Sequence, residues 1–176
     1  MRPLVNISGG KGQIGIVRTH GFSSWLIRLI TRAKVNHCII DTGTDLISAE
    51  YPVVRRRPYG HFTNIIWSQF DLTTKTSNKI IDFATNQIGK PYGVTDDIAI
   101  GVGIIFHDHT PGTIMRHLSS DGQWICSELA DASLRHGGIH IWNDNRPTGA
   151  VFPGSFENFY RDAGWLPKHI LFSKRT

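Results

Sequence analysis

The sequence predicts an α+β fold, because extended and helical segments occupy separate stretches of the chain. Residues 37–70 hold short runs of β-branched and apolar side chains separated by Gly, Asp and Pro, a pattern typical of strands joined by turns. Residues 74–88 and 124–136 repeat apolar side chains at helical spacing instead. With 176 residues, 40% of them hydrophobic, the chain suits one core better than two. We therefore expect a single domain over residues 1–176.

The extended segments predict an antiparallel sheet. The runs at 37–41 and 46–50 flank Thr-Gly-Thr-Asp at 42–45, whose Gly and Asp favour a hairpin turn. Further strands are predicted at 13–18, 53–56, 62–70 and 169–172.

Helices are predicted between and after these strands. The two clearest begin near residues 74 and 124 and end at Gly89 and Gly137. Pro153 opens another helix, at 153–163. Apolar residues also predict helices at 22–34 and 98–106.

The charge of the chain bears on its partners. Nineteen Lys and Arg residues against fourteen Asp and Glu give a net charge of +5, which would suit nucleic acid, a lipid surface or an anionic cell-wall polymer. The basic residues are dispersed except at 55–57, and no nucleic-acid-binding motif accompanies them. We expect a solvated basic face and no nucleic-acid partner.

Export and membrane signals are absent from the sequence pattern. The N-terminal residues lack the apolar stretch of a signal peptide, and the longest apolar run, 98–106, is too short to span a bilayer. Two cysteines, Cys38 and Cys126, are too few for a disulfide-stapled secreted scaffold and fit a reducing compartment. We expect synthesis in the cytoplasm without export, or association with a virion, and the localisation itself stays open.

The most informative segment is Trp-Ile-Cys-Ser-Glu-Leu at 124–129, which puts Cys126 where a helix is predicted to begin. A thiol in the first turn of a helix faces unpaired backbone N–H groups and the positive end of the helix dipole, and both favour the thiolate. Cys126 is therefore a candidate nucleophile. The alternative is a small buried core residue.

A nucleophilic thiol needs a base and a group that orients the base. Among nine histidines, His37 has the most favourable context, because it begins a strand whose following residues are apolar. A histidine at a strand end can project into a groove while the strand behind it stays packed. The predicted hairpin brings Glu50 beside it. The alternatives are a structural histidine and a solvated carboxylate.

Several separated blocks resemble the NlpC-like papain superfamily of cell-wall peptidases. Gly-Lys-Pro-Tyr at 89–92, followed by the segment at 124–129, resembles the Gly-Pro-Tyr segment and the nucleophile helix of that superfamily. The candidate histidine precedes the cysteine, as in the circularly permuted papain-like amidases that share the superfamily with lecithin retinol acyltransferase. The other matching blocks, in the order of the permuted branch, are residues 12–17, 36–40, 46–49 and 151–156.

The resemblance implies a papain-like fold in which an antiparallel sheet packs against the nucleophile helix. It implies Cys126 as nucleophile, His37 as base and Tyr92 near the oxyanion. The family often has a polar residue on the strand after the histidine, where this sequence offers Glu50 and Ser48. Glu50 is favoured, since a carboxylate best stabilises an imidazolium, and Ser48 is the alternative.

The activity implied by the resemblance is that of a cysteine peptidase or amidase working through a thioester, without a cofactor. Peptidoglycan peptides are the expected substrate, because cell wall degradation is the commonest use of the superfamily. A phage-associated enzyme, with phage structural proteins as partners, would fit the absent signal peptide. The alternatives are a lipid-directed thiol acyltransferase or hydrolase, and a non-catalytic binding or structural module.

Three further features leave alternatives open. Trp124 either forms a wall of the substrate cleft or packs in the core. His107 and His109 alternate along the chain, but two ligands do not make a zinc site, so no metal is expected. The insertion at 93–122 could be a lid, a partner surface or a substrate wall.

Overall fold

The structure is a computed structural model that describes residues 8–19, 34–93, 123–142 and 151–167. Within these ranges the chain forms one five-stranded antiparallel sheet and three helices, which confirms the α+β class. The helix predicted at 98–106 and the strand predicted at 169–172 lie outside the described residues, as does all but the last residue of the helix predicted at 22–34.

The sheet has the strand order β4-β3-β2-β1-β5, and each neighbouring pair is antiparallel. The predicted hairpin is confirmed, because Ile39 lies opposite Ser48 and Asp41 lies opposite Leu46. The strands are β1 (Ile14–Val17), β2 (His37–Asp41), β3 (Leu46–Glu50), β4 (Val53–Arg57) and β5 (Ile66–Trp67).

Strand β5 is much shorter than the predicted run at 62–70. Asn64 has a φ of 55°, in the left-handed region, so the chain is not extended there. On the other side, β1 offers only Gly15 and Ile16 as partners for β5. The pairing therefore covers two residues.

The described helices are α1 (Thr74–Thr85), α2 (Cys126–His136) and α3 (Pro153–Asp162). Thr73 caps α1 by accepting a hydrogen bond from the backbone N–H of Thr76. Helix α1 ends before the predicted residue 88, because the following backbone closes in i to i+3 turns that lead to Gly89, whose φ is 87°. None of the helices in the described ranges is long and apolar enough to cross a bilayer.

The main core lies between one face of the sheet and the helices. Side chains alternate along the strands, so Ile16, Cys38 and Ile40 face this core while Val17 and Ile39 face the other side. Helix α2 packs directly on the sheet through Leu129 and Leu134, as predicted for the helix that carries Cys126. The buried members from α3 are Phe156 and Tyr160.

A buried carboxylate holds the turn end of the β2–β3 hairpin. Asp41 is fully buried, at the last position of β2. Its two oxygens accept hydrogen bonds from the backbone N–H groups of Gly9, Gly10 and Gly43 and from the hydroxyls of Ser8 and Tyr59, at 2.6–3.1 Å. These bonds tie the segment before β1 and the segment after β4 to the hairpin.

Candidate active site

Cys126 is the first residue of α2, which confirms the predicted start of that helix. The preceding residue, Ile125, is the N-cap and makes no side-chain cap hydrogen bond to the first turn. The side chain of Cys126 is buried, with 5% of the residue exposed. Its sulfur therefore lies at the end of the helix where the backbone donors and the dipole favour a negative charge.

His37 is the first residue of β2, and the backbone leading to it is held from two sides. Asn36 exchanges two hydrogen bonds with Thr19, at 2.9 and 2.6 Å, next to the end of β1. Glu157 of α3 accepts a hydrogen bond from the backbone N–H of Lys34 at 2.6 Å. These contacts fix the position from which the imidazole projects.

The imidazole of His37 is hydrogen-bonded to Ser48 on the neighbouring strand. The distance from His37 Nε2 to Ser48 Oγ is 2.7 Å, and both residues are buried. Phe62 packs beside the imidazole, with 5.4 Å between ring centroids. Ser48 and Phe62 together restrict the orientation of the ring, which is the task expected of the third member of a catalytic triad.

The thiol of Cys126 lies within hydrogen-bonding reach of His37 and of Cys38. The hydrogen bond with Cys38 lowers the pKa of Cys126 most. Burial opposes it, but the charge of His37 and a hydrogen bond with His37 act in the same direction as Cys38, and the pKa of Cys126 is well below its ordinary value. The fold therefore joins the predicted nucleophile to the predicted base.

Cys38 is the partner that the sequence reasoning missed. It follows His37 on β2 and faces the core on the helix side of the sheet, with 1% of the residue exposed. Burial, then the hydrogen bond with Cys126 and the charge of Cys126, raise the pKa of Cys38 well above its ordinary value. The available signal was strand alternation, which puts the residue after His37 on the face that α2 covers.

Glu50 and Ser48 have different partners. Oε1 of Glu50 accepts a hydrogen bond from Nε of Arg57 at 2.5 Å, while Ser48 holds Nε2 of His37. Burial raises the pKa of Glu50, but the hydrogen bond from Arg57 and the charges of Arg57, His37 and His61 together lower it. Glu50 is therefore a carboxylate near the imidazole whose direct bond is with a guanidinium, a stronger donor than a neutral imidazole.

Tyr92, the predicted oxyanion residue, lies beside the chain that leads into α2. It forms a parallel bridge with Trp124, and the backbone N–H of Trp124 donates to the carbonyl of Pro91 at 3.0 Å. The aromatic side chain is half-buried against the main core. This places Tyr92 next to the start of α2, and its part in binding an oxyanion stays a prediction.

The indole of Trp124 packs on α1 and the residues that follow it. Its Nε1 donates to Oε1 of Gln87 at 3.1 Å, and its ring meets Phe83 edge to face at 5.8 Å. These contacts are the ones expected if Trp124 packs against the core, one of the two roles that the sequence left open. A second role for Trp124, as a wall of the substrate cleft, stays a prediction.

Metal ligands were not expected from the sequence. Within the part of the chain that the structure describes, no group of three or more His, Cys, Asp or Glu side chains could hold a metal ion. His107 and His109 lie outside the described residues, as does the insertion after Gly93 up to residue 122.

Comparison with known proteins adds no family to this description. No protein-family model matches the chain, and no curated protein is detectably similar to it. The contacts among Cys126, His37 and Ser48 are therefore the features of the chain that bear on its function.

Proposed function

We propose that the protein is a cysteine-dependent hydrolase of the permuted papain-like kind, with Cys126 as nucleophile, His37 as base and Ser48 as the residue that orients the base. One observation carries the proposal: a single imidazole links the buried thiol at a helix start to a hydroxyl 2.7 Å from its Nε2. A thiol, an imidazole and a polar orienting group in this order are the parts that thiol hydrolysis requires.

In the resting site the proton of Cys126 resides on His37, giving a thiolate and an imidazolium. Nε2 is occupied by Ser48, so Nδ1 is the nitrogen that exchanges this proton with the sulfur. In that form Nε2–H donates to Ser48 Oγ, which holds the ring in its orientation. Glu50, near the ring but bonded to Arg57, adds a favourable charge for the imidazolium.

Hydrolysis then follows in two steps. The thiolate of Cys126 attacks a carbonyl carbon, and the backbone N–H groups at the start of α2 stabilise the resulting oxyanion, with Tyr92 as a further donor. His37 gives its proton to the leaving amine or alcohol, leaving a thioester on Cys126. His37 next takes a proton from water, whose oxygen attacks the thioester and releases the acid and the free thiolate. No cofactor enters either step.

The proposed substrate class is an amide bond in peptidoglycan peptides. It rests on the resemblance of the sequence blocks to cell-wall peptidases and on the net charge of +5, which suits an anionic wall polymer.

The test compares the wild-type protein with Cys126→Ala on purified peptidoglycan and on simple acyl esters, with products identified by mass spectrometry. New amino and carboxyl termini from peptidoglycan are expected with the wild-type protein alone. Iodoacetamide should label Cys126 in the wild-type protein, as located by peptide mapping. Full activity in Cys126→Ala would overturn the mechanism, and release of fatty acid without peptide cleavage would overturn the substrate class.

A further inference from the structure

We propose that Cys38 is a positioning residue for the nucleophile: its thiol stays protonated and donates its S–H to the thiolate of Cys126. This inference rests on the proposed function, since it assigns a second residue to the same thiolate. It gives a purpose to a buried thiol that the three-residue mechanism leaves unused.

The placement of the two thiols carries the inference. Cys38 lies opposite Ile16 in the middle of the sheet and faces the core on the side covered by α2. Cys126 is the first residue of α2 and belongs to the same buried cluster. Helix α2 packs on β2, each thiol shifts the pKa of the other, and both cysteines are free thiols.

The surroundings decide which thiol keeps its proton. Cys126 has His37 on one side, which accepts a proton, and the N-terminal end of α2 behind it. Cys38 is buried, and Tyr160 is an ionisable neighbour of it. Burial raises the pKa of Tyr160, whose hydroxyl donates to the carbonyl of Ile14, so this neighbour stays neutral.

Only Cys126 lies beside a proton acceptor, and this difference between the two thiols decides where the protons are. The single proton that leaves Cys126 moves to His37, and Cys38 retains its own. The S–H of Cys38 then points at a full negative charge, where even a weak thiol donor makes a useful bond. The charge of Glu50 acts on His37 and favours the imidazolium. Glu128 is also buried in the first turn of α2.

A thiol also suits this position better than a hydroxyl would. A buried thiolate is shielded from water, so a neighbour without a donor would leave it poorly solvated. A strong donor would stabilise it so far that its nucleophilicity would fall, because nucleophilicity decreases with the pKa of the thiol. The weak S–H donor of Cys38 lies between these extremes.

The experiment measures the rate of Cys126 alkylation by iodoacetamide as a function of pH in freshly reduced protein. It compares the wild type with Cys38→Val, which removes the donor at similar volume, and with Cys38→Ser, which keeps a donor. Peptide mapping assigns each alkylated residue, and thermal unfolding shows that each variant is folded. Cys38→Ala replaces Cys38→Val where the second methyl group does not fit.

Cys38→Val should move the alkylation midpoint to higher pH and slow alkylation below that midpoint by about tenfold, the effect of losing one hydrogen bond to a charge. Cys38→Ser should keep the midpoint at or below that of the wild type. A Cys38→Val profile that superimposes on the wild type overturns the inference. Alkylation of Cys38 before Cys126 in the wild-type protein at neutral pH also overturns it, without any variant.

The two proposals fail in different ways. If Cys126→Ala keeps full hydrolytic activity, the proposed function fails. If Cys126→Ala is inactive while the Cys38→Val profile equals that of the wild type, the hydrolase stands and only the role of Cys38 is lost.

Discussion

The two ends of the β2–β3 hairpin both carry buried polar groups, but they use them differently. At the turn end, Asp41 accepts hydrogen bonds from backbone N–H groups and hydroxyls that do not ionise near neutral pH. At the open end, His37 contacts a hydroxyl and a thiol, and that thiol contacts a second thiol. The structural anchor and the proposed proton-transfer site lie at opposite ends of β2, with three residues between them.

The comparison shows how burial can serve stability or chemistry on the same strand. A carboxylate surrounded by permanent donors has one favourable state, so it fixes the backbone around it. An imidazole and a thiol that exchange a proton have two protonation states, so they can take part in proton transfer. The variants below should therefore separate into those that change activity and those that change stability.

The largest effect is expected from His37→Ala, which removes the proton acceptor at the open end. Hydrolysis should fall about a thousandfold, the usual contribution of a general base. Alkylation of Cys126 at pH 6 should also slow, because the charge and hydrogen bond of His37 lower the pKa of the thiol. The free energy of unfolding should fall by only about 1 kcal/mol, for the lost bond to Ser48. His61→Ala, at an exposed neighbour, is the matched control. Equal losses of activity in the two variants would contradict the assignment of His37.

Asp41→Ala should lower the stability of the fold and leave the reactivity of Cys126 nearly unchanged, the opposite of His37→Ala. The donors around Asp41 lose their acceptor, so the free energy of unfolding in urea should fall by about 3 kcal/mol or more. The alkylation rate of Cys126 in the folded protein should change little, because distant sites act independently. Arg56→Ala, which breaks a surface ion pair with Asp45 on the same hairpin, should cost less than about 1 kcal/mol. The contrast between the two ends would disappear if Asp41→Ala abolished alkylation while stability was retained.

A smaller effect is expected at the residue that orients the imidazole. Ser48→Ala should lower kcat/KM by about tenfold, which corresponds to one hydrogen bond. Glu50→Gln should lower kcat/KM less, since Glu50 contributes charge and its direct bond is with Arg57. Both variants are measured on the same substrate. A greater loss of kcat/KM in Glu50→Gln than in Ser48→Ala would identify Glu50 as the residue that orients His37.

The smallest effect concerns the ion pair of Glu50 and Arg57. The pKa of Glu50 is lowered from its ordinary value of 4.5, so the unfolded chain binds its proton more readily than the folded protein does. The pair therefore stabilises the fold at pH above 4.5 and loses this contribution as the pH falls through the folded-state pKa. Both side chains are one-quarter exposed, so the gain should be less than about 1 kcal/mol.

The measurement is urea unfolding of the wild type and Glu50→Gln at pH 7 and pH 3. The variant should be slightly less stable than the wild type at pH 7, and this difference should be smaller at the lower pH. A difference of the same size at both pH values would mean that the effect arises from packing and not from charge.

Local signals in the sequence predicted the elements of this site well. The Gly and Asp residues of the turn at 42–45 predict the hairpin, and the helical spacing after Cys126 predicts the start of α2. Both features depend on residues close together in the chain, where backbone preferences act directly. The papain-like arrangement and the activity stay predictions.

The partners of individual side chains could not be predicted in the same way. Charge alone favoured Glu50 over Ser48, and only the position of the Arg57 side chain shows that the carboxylate has another partner. The contact of Cys38 with Cys126 depends on how α2 is placed across the sheet. Strand β5 is short because Asn64 adopts a left-handed backbone conformation. Asparagine tolerates this conformation but does not require it, so the sequence alone does not predict it.

The bond from Lys34 to Glu157 spans 123 residues and has a consequence for biosynthesis. A chain leaves the ribosome from its amino end, so His37 emerges long before the helix that holds the backbone beside it. The backbone beside His37 therefore gains this anchor only after α3 has been made, when nearly all of the described fold has left the ribosome.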